Sequence, residues 1–374
     1  MDGLKLGVIP LVRGNRYTYR ARILRKRQRA FDCHGEASVE AIRRAIIGTV
    51  ASAPRLQPLL SRLTGRFAVF YAHVVSDAPL PHIRHLYAYR TPRQFERDLD
   101  MLLKLYRPIA LDELVAALAA HGSPPVDTCL LTFDDGLREA GEVIAPILKR
   151  RGIPAAFFIN SDFVGNKTMF FRHKASLIVE KLTTLDPRSA QLAVSAALRN
   201  RGMAPQHPVE AVLRLGFHDE PALDAIAAAI DVDFAAFLRR YRPYLGADEL
   251  RAIASDGFTI GAHSRSHPPY ASLPFADQLE QTLSSVAFVR QTFQPKVLAF
   301  SFPFNDRGIS MRLLREISAA GVSICFGTDG LRRDSVSWSL QRIQSEDPRS
   351  NIRRDLAAAC LNVIGRGPIT RSEE

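Results

Sequence analysis

Paired cysteines are missing from this chain. Its four cysteines, Cys33, Cys129, Cys325 and Cys360, are scattered and form no C-x-x-C unit. That argues against a thiolate zinc site or a disulfide framework and fits a reducing compartment. Long apolar runs are missing too: nothing approaches the roughly 18 to 20 residues needed to cross a bilayer. The first residues, Met1 to Val12, are too short and too lightly charged for a secretion signal with a cleavage site. A cytoplasmic location is the expectation from these absences. The chain also has no internal repeat, no low-complexity tract, and no histidine after His267.

What is present is ordinary folding material. The 374 residues are 47% hydrophobic and the mean hydropathy is −0.05, enough for one large α/β domain or two smaller ones. The net charge of +12 is uneven. Arg13, Arg16, Arg20, Arg22, Arg25, Lys26, Arg27 and Arg29 follow one another with no acid between them. Such an arm is either solvated or able to dock on anionic lipid headgroups or nucleic acid. The remainder is only mildly basic, which argues against a nucleic-acid binder that uses its whole surface.

Residues 1–66 read as a basic, weakly patterned extension, with Ala41 to Thr49 the one good helical stretch. From Phe67 the pattern alternates between strands and helices, which predicts parallel β-α units. Strands are expected at Phe67–Val75, Ile109–Leu111, Thr128–Phe133, Pro154–Ile159, Phe258–Ala262, Val297–Ser301 and Val322–Phe326. Helices are expected between them, one over Leu137–Arg151 that Pro146 should kink or shorten. From about 171 to 246 the rhythm breaks into an almost wholly helical insertion. After Asp347 a basic helix and a polar end are expected.

Two features carry chemistry. Leu131-Thr-Phe-Asp-Asp-Gly136 sets Asp134 and Asp135 at the end of an apolar strand, where α/β barrels place their active groups. Side chains alternate along extended backbone, so one aspartate can bind a metal while its neighbour takes a proton. Two close carboxylates repel unless one is protonated, and a divalent cation removes that conflict. The plainer reading is a helix N-cap plus a first-turn acid, stabilising by roughly 0.5–2 kcal/mol. The second feature is Gly261-Ala-His-Ser-Arg-Ser-His267, whose two histidines stand four apart after a strand-like run. Two imidazoles and one carboxylate leave open positions for water and substrate, as in catalytic zinc sites. Ser264 and Ser266 are natural turn-formers beside them.

Taken in order, Thr132-Phe-Asp-Asp-Gly136, His263-Ser-x-x-His267 and Phe300-Ser-Phe-Pro-Phe304 resemble the motifs of the NodB-like polysaccharide deacetylases, carbohydrate esterase family four. Smaller echoes are Phe70-Tyr-Ala-His73, Gly152-Ile-Pro-Ala-Ala-Phe-Phe158 and Leu340-Gln-Arg-Ile343. The resemblance implies a distorted (β/α) barrel spanning 67–374, interrupted by the insertion at about 171–246. It implies metal-dependent removal of an acyl group from an N-acylated amino sugar. Carried over, Asp134 is the general base, and Asp135, His263 and His267 hold a divalent metal, with zinc the expected ion. A backbone N–H near Phe304 is the oxyanion donor.

Three departures from the family pattern bear on the acid step and the substrate. Ser301 stands where the family often has an arginine, Asn305 where a glycine usually follows the aromatic, and the late histidine that serves as general acid is absent. His73 is the nearest substitute for that acid, or else a structural histidine. Arg342 either supplies the charge of the missing arginine or pairs with a carboxylate such as Glu346. The insertion is expected to wall one side of the mouth and select substrate.

The reading is a deacetylase acting on an oligo- or polysaccharide, or on its lipid- or nucleotide-linked precursor, with a carbohydrate-binding pseudoenzyme as the alternative. A third reading makes the Arg13–Arg29 arm a peripheral membrane or nucleic-acid adaptor.

Overall fold

The computed structural model describes residues 67–199 and 206–373. The basic arm, the Ala41–Thr49 helix and Cys33 lie outside them. The described residues begin with β1 (Phe67–Ala72), followed by α1 (Pro92–Leu102), β2 (Arg107–Pro108) and α2 (Leu111–His121). Next come β3 (Thr128–Phe133), α3 (Ala145–Arg150) and β4 (Ala156–Ile159). The helices α4 (Phe171–Leu182), α5 (Pro187–Leu198), α6 (Pro208–Arg214), α7 (Glu220–Ala229), α8 (Phe234–Tyr241) and α9 (Ala247–Ser255) separate β4 from β5 (Thr259–Ala262). After β5 follow α10 (Phe275–Phe293), β6 (Ala299–Ser301), α11 (Met311–Ala319), β7 (Ile324–Gly327), β8 (Ser339–Gln341), β9 (Ile343–Gln344) and α12 (Ile352–Val363).

The strands form one parallel sheet in the order β8-β7-β6-β5-β4-β3-β1-β9, with β2 added beside β3. The two ends of that path are neighbours in sequence. β8 pairs with β7 and β9 with β1, and only Arg342 lies between them. One extended segment thus changes partner at Arg342 and crosses the seam of a nearly closed (β/α) barrel.

The period of two along each strand separates two cores. One set, Val69, Leu130, Ala156, Phe158, Ala299, Ile324 and Phe326, clusters with Leu111 and Leu114 of α2. The alternate set, with Phe70, Leu131, Phe133, Phe157, Ile260, Phe300 and Cys325, packs against the surrounding helices. Continued two residues at a time, the first set leads to His73, Asp134, Asn160, His263 and Ser301. These polar side chains therefore cap the inner column at the C-terminal ends of the strands. Gly261 makes room in that column, since a Cβ there would run into the Phe158 ring.

The structure differs from the sequence expectation at Ile109–Leu111 and at β8 and β9, which answer to no expected strand. The apolar run Ile109–Leu111 is not a strand: the ladder to β3 falls at Arg107–Pro108, and Leu111 opens α2 with its side chain buried. A short apolar run reads alike whether it feeds a strand or a plug under a barrel. The helix expected over Leu137–Arg151 is disturbed ahead of Pro146, as the proline suggested. A π-helical turn spans Ala140–Ile144 before α3, which has Pro146 in its first turn. Proline lacks the N–H and crowds the preceding turn, and a wider turn relieves both.

Helices α4 to α8 build their own core from Phe171, Ile178, Val194, Leu223 and Ile226, closed against Val74, Leu80 and Ile83. Cys129, Cys325 and Cys360 are buried free thiols. Among the described residues no helix is long and apolar enough to cross a membrane.

Candidate active site at the mouth of the barrel

Asp134 and Asp135 leave β3 in different directions because the backbone turns between them. Asp135 has φ 74°, a left-handed conformation uncommon outside glycine, and Gly136 follows at φ 62°. A Cβ on Gly136 would meet the Ile159 side chain at 3.0 Å, so the turn is closely packed as well as sharp. Ser264, His267 and Phe304 also have positive φ, at 68°, 58° and 58°. Each such residue costs on the order of 1–3 kcal/mol, and such strain gathers where side chains must be aimed. At Phe304 the Asn305 N–H donates to Pro303 O at 2.6 Å, closing a γ-turn about the strained residue.

Asp135 converges with the histidine pair. Its Oδ1 lies 3.3 Å from His267 Nε2 and 3.6 Å from His263 Nε2, and all three residues are buried. These separations approach the edge of a tetrahedron, about 3.3 Å, around a cation with ligand distances near 2.0–2.1 Å. Burial pushes Asp135 up and holds both histidines down, His267 well below its usual value. The histidines are thus neutral, the state that binds a metal. Asp135 Oδ1 is buried with no hydrogen-bond partner, as expected of a ligand atom. The three donors form the Asp/His/His cluster able to hold a metal.

The neighbours of this cluster fix it. Ser301 O lies 2.7 Å from His263 Nδ1, so that nitrogen carries the proton and Nε2 faces Asp135. Asn160 donates to the His263 carbonyl, and Ser264 Oγ accepts from the His267 N–H at 3.0 Å. Phe304, 39% exposed, and Phe170 lay their rings against His267 with centroids 4.7 and 4.5 Å away.

Asp134 has a different partner. Arg342, fully buried at the seam, donates from Nη1 to Oδ1 at 2.8 Å and from Nη2 to Oδ2 at 2.7 Å. Its remaining bonds run to Thr132 Oγ1, Ser301 Oγ and Gly327 O, and its guanidinium lies 4.6 Å from the centre of the Tyr71 ring. Burial works to raise Asp134, but the Arg342 charge and hydrogen bonds, with His263 and His73 beside them, together outweigh it and hold the carboxyl far below its ordinary range. Adjacent aspartates thus differ: Asp134 is ionised and clamped by a guanidinium, whereas at Asp135 burial prevails over the pull of His73 and His263. The carboxylate that Arg342 pairs with is Asp134 and not the Glu346 that the sequence suggested, and Ser301 receives the guanidinium.

Glu346 belongs to His73 instead. His73 Nδ1 meets Glu346 Oε2 at 2.8 Å, and the His73 backbone N–H donates to the same oxygen at 3.2 Å. Gln344 holds the other oxygen at 2.5 Å. Burial lowers the imidazole, yet the Glu346 charge and hydrogen bond prevail and raise His73 to about 10. A group raised this way stabilises the fold fully below its free value of about 6.5 and loses that contribution as pH rises through its folded value. In protein stripped of metal, His73 ring signals in NMR are therefore expected to stay in the imidazolium position from pH 6 to 8. A midpoint near 6.5 would show that Glu346 does not hold the proton.

Sequence reasoning missed Tyr87 and Asn160. Tyr87 packs its ring on His73, centroids 5.5 Å apart, and its hydroxyl is buried. No motif marks either residue; only their place in space does.

The family model described as polysaccharide deacetylase matches residues 121–325, which includes Asp134, Asp135, His263, His267 and Phe304 but neither His73 nor Arg342. No curated protein matches the chain. Among solved structures, the Streptococcus pyogenes deacetylase PplD in complex with acetate is 14% identical, with TM-score 0.47 over 80% of this chain and 96% of that one. IcaB from Ammonifex degensii is 17% identical, with TM-score 0.49 over 79% and 96%. The BpsB deacetylase domain from Bordetella bronchiseptica is 15% identical, with TM-score 0.42 over 74% and 95%.

Proposed function

The chain belongs to the polysaccharide deacetylase family, and from that we propose that it removes the N-acetyl group of an amino sugar in an oligo- or polysaccharide or its activated precursor. The observation that carries this reading is the division of labour at one mouth: an unpaired Asp135 with two neutral histidines, beside an Asp134 ionised by Arg342. Asp135, His263 and His267 would hold a divalent cation, and two imidazoles with a carboxylate favour zinc. Such a cation supplies Lewis acidity toward water and the acyl oxygen.

The chain's own groups divide the remaining steps. Asp134, held as a carboxylate, accepts the proton of the attacking water, and Arg342 keeps its oxygens in place. The backbone N–H at Phe304, presented by the strained turn, stabilises the oxyanion of the tetrahedral intermediate. His73, kept protonated by Glu346, donates to the departing amine, the role for which the chain has no later histidine.

Acetate release from N-acetylglucosamine oligomers, with and without chelator, tests this. Activity should vanish with chelator and return with zinc, and elemental analysis should find one ion per chain, lost in His267→Ala. Hydrolysis indifferent to chelator would remove the metal from the reading. An empty site in a chain that releases no acetate would favour the carbohydrate-binding pseudoenzyme.

A further inference from the structure

The His73–Glu346 pair is itself held by a second buried arginine, on the segment that links β1 to α1. Arg90 is 2% exposed. Its Nη1 donates to Ser345 O at 2.7 Å and to Ser345 Oγ at 2.8 Å, and Nη2 donates to Asp355 Oδ2 at 2.8 Å. Nε lies 2.8 Å from Asp98 Oδ2 with its N–H aimed elsewhere, so that contact is charge pairing. Ser345 immediately precedes Glu346, and its own N–H donates to Tyr71 O at 2.8 Å. The Arg90 backbone also reaches the other partner of the pair. It bridges to Val75, and its carbonyl accepts from Ser76 N at 3.0 Å, just beyond His73.

One residue therefore touches the chain on both sides of the proton-donor pair: after His73 through its backbone and before Glu346 through its guanidinium. We propose that Arg90 is a positioning residue for deacetylation, setting the register of Glu346 against His73, with Asp98 of α1 and Asp355 of α12 holding its guanidinium. An apolar side chain of similar volume could give comparable stability at a buried site. It could not grip both the carbonyl and the hydroxyl of Ser345. The C-terminal helix, far from the chemistry in sequence, thereby acts on it through Asp355.

This inference rests on His73 being the proton donor, and the experiment separates the two ideas. His73→Gln, Arg90→Gln and Arg90→Lys are compared on an N-acetylglucosamine oligomer, whose amine must be protonated to leave, and on 4-nitrophenyl acetate, whose phenolate leaves unaided. His73→Gln should lose much more amide than ester hydrolysis. Arg90→Gln should copy that selectivity, losing about tenfold in kcat on the amide with KM unchanged, as expected of a misplaced rather than missing group. Arg90→Lys should recover part of it.

If His73→Gln is selective but Arg90→Gln loses both substrates in proportion, or neither, the positioning role is overturned and the donor survives. If His73→Gln shows no selectivity, donor and positioning role fall together. Should Arg90→Gln not fold, Asp355→Asn, of nearly the same size, carries the test by the same criterion.

Discussion

Asp134→Asn is expected to slow acetate release by about two to four orders of magnitude, the range general-base catalysis supplies. The carboxylate is 2% exposed, and both of its oxygens are engaged by one guanidinium at 2.8 and 2.7 Å. An amide of the same shape keeps one acceptor for Arg342 but cannot take a proton. Asp135, His263 and His267 are untouched, so bound metal should remain stoichiometric while turnover falls by that factor. Metal content and rate are therefore measured on the same folded sample, with near-ultraviolet circular dichroism confirming the packing. Wild-type turnover in this variant would remove Asp134 from the base role.

Arg342→Met should have the largest effect on stability. It leaves Asp134 buried without its cation, and breaking one side of a buried pair costs roughly 3–5 kcal/mol. It also withdraws the donors to Thr132, Ser301 and Gly327, contacts that reach from the seam to the side chains of β3 and β6 and the backbone of β7. Urea unfolding should show this loss, and deacetylation should fall along with it. Arg342→Lys should recover less than half, because an ammonium cannot match both carboxylate oxygens with a planar fork. A midpoint unchanged in Arg342→Met would mean that Asp134 becomes protonated without penalty, and the asymmetry between the aspartates would need another cause.

Much of the Asp135/His263/His267 cluster and its surroundings can be read from residue order alone. Asp134-Asp135 after an apolar strand, His263 and His267 four apart, and Pro303-Phe304 after a later strand are local patterns, and local patterns survive in a sequence. The His73–Glu346 pair cannot be read that way. Glu346 can be suspected as a partner for Arg342, yet the fold gives it to His73, because the segment changes strand partner at Arg342 and turns successive residues to different neighbours. Arg90 and Tyr87 have no signature, since burial of an arginine or a tyrosine hydroxyl is decided by which distant segments close around it. The fold follows the same rule. Strand alternation shows in the hydrophobic period, whereas the π turn before Pro146 and the plug at Leu111 depend on what packs above and below.

The strand that changes partner at Arg342 also has a temporal consequence. The clamp on Asp134 joins residues 208 positions apart in sequence, among the most non-local contacts the fold makes. Contacts of such separation are slow to form, and during synthesis the N-terminal part of a chain emerges first. Until residue 342 emerges, Asp134 has no guanidinium to pair with. On the proposed mechanism competence comes late, with the emergence of residues 342 to 346, which bring Arg342 to Asp134 and Glu346 to His73 together.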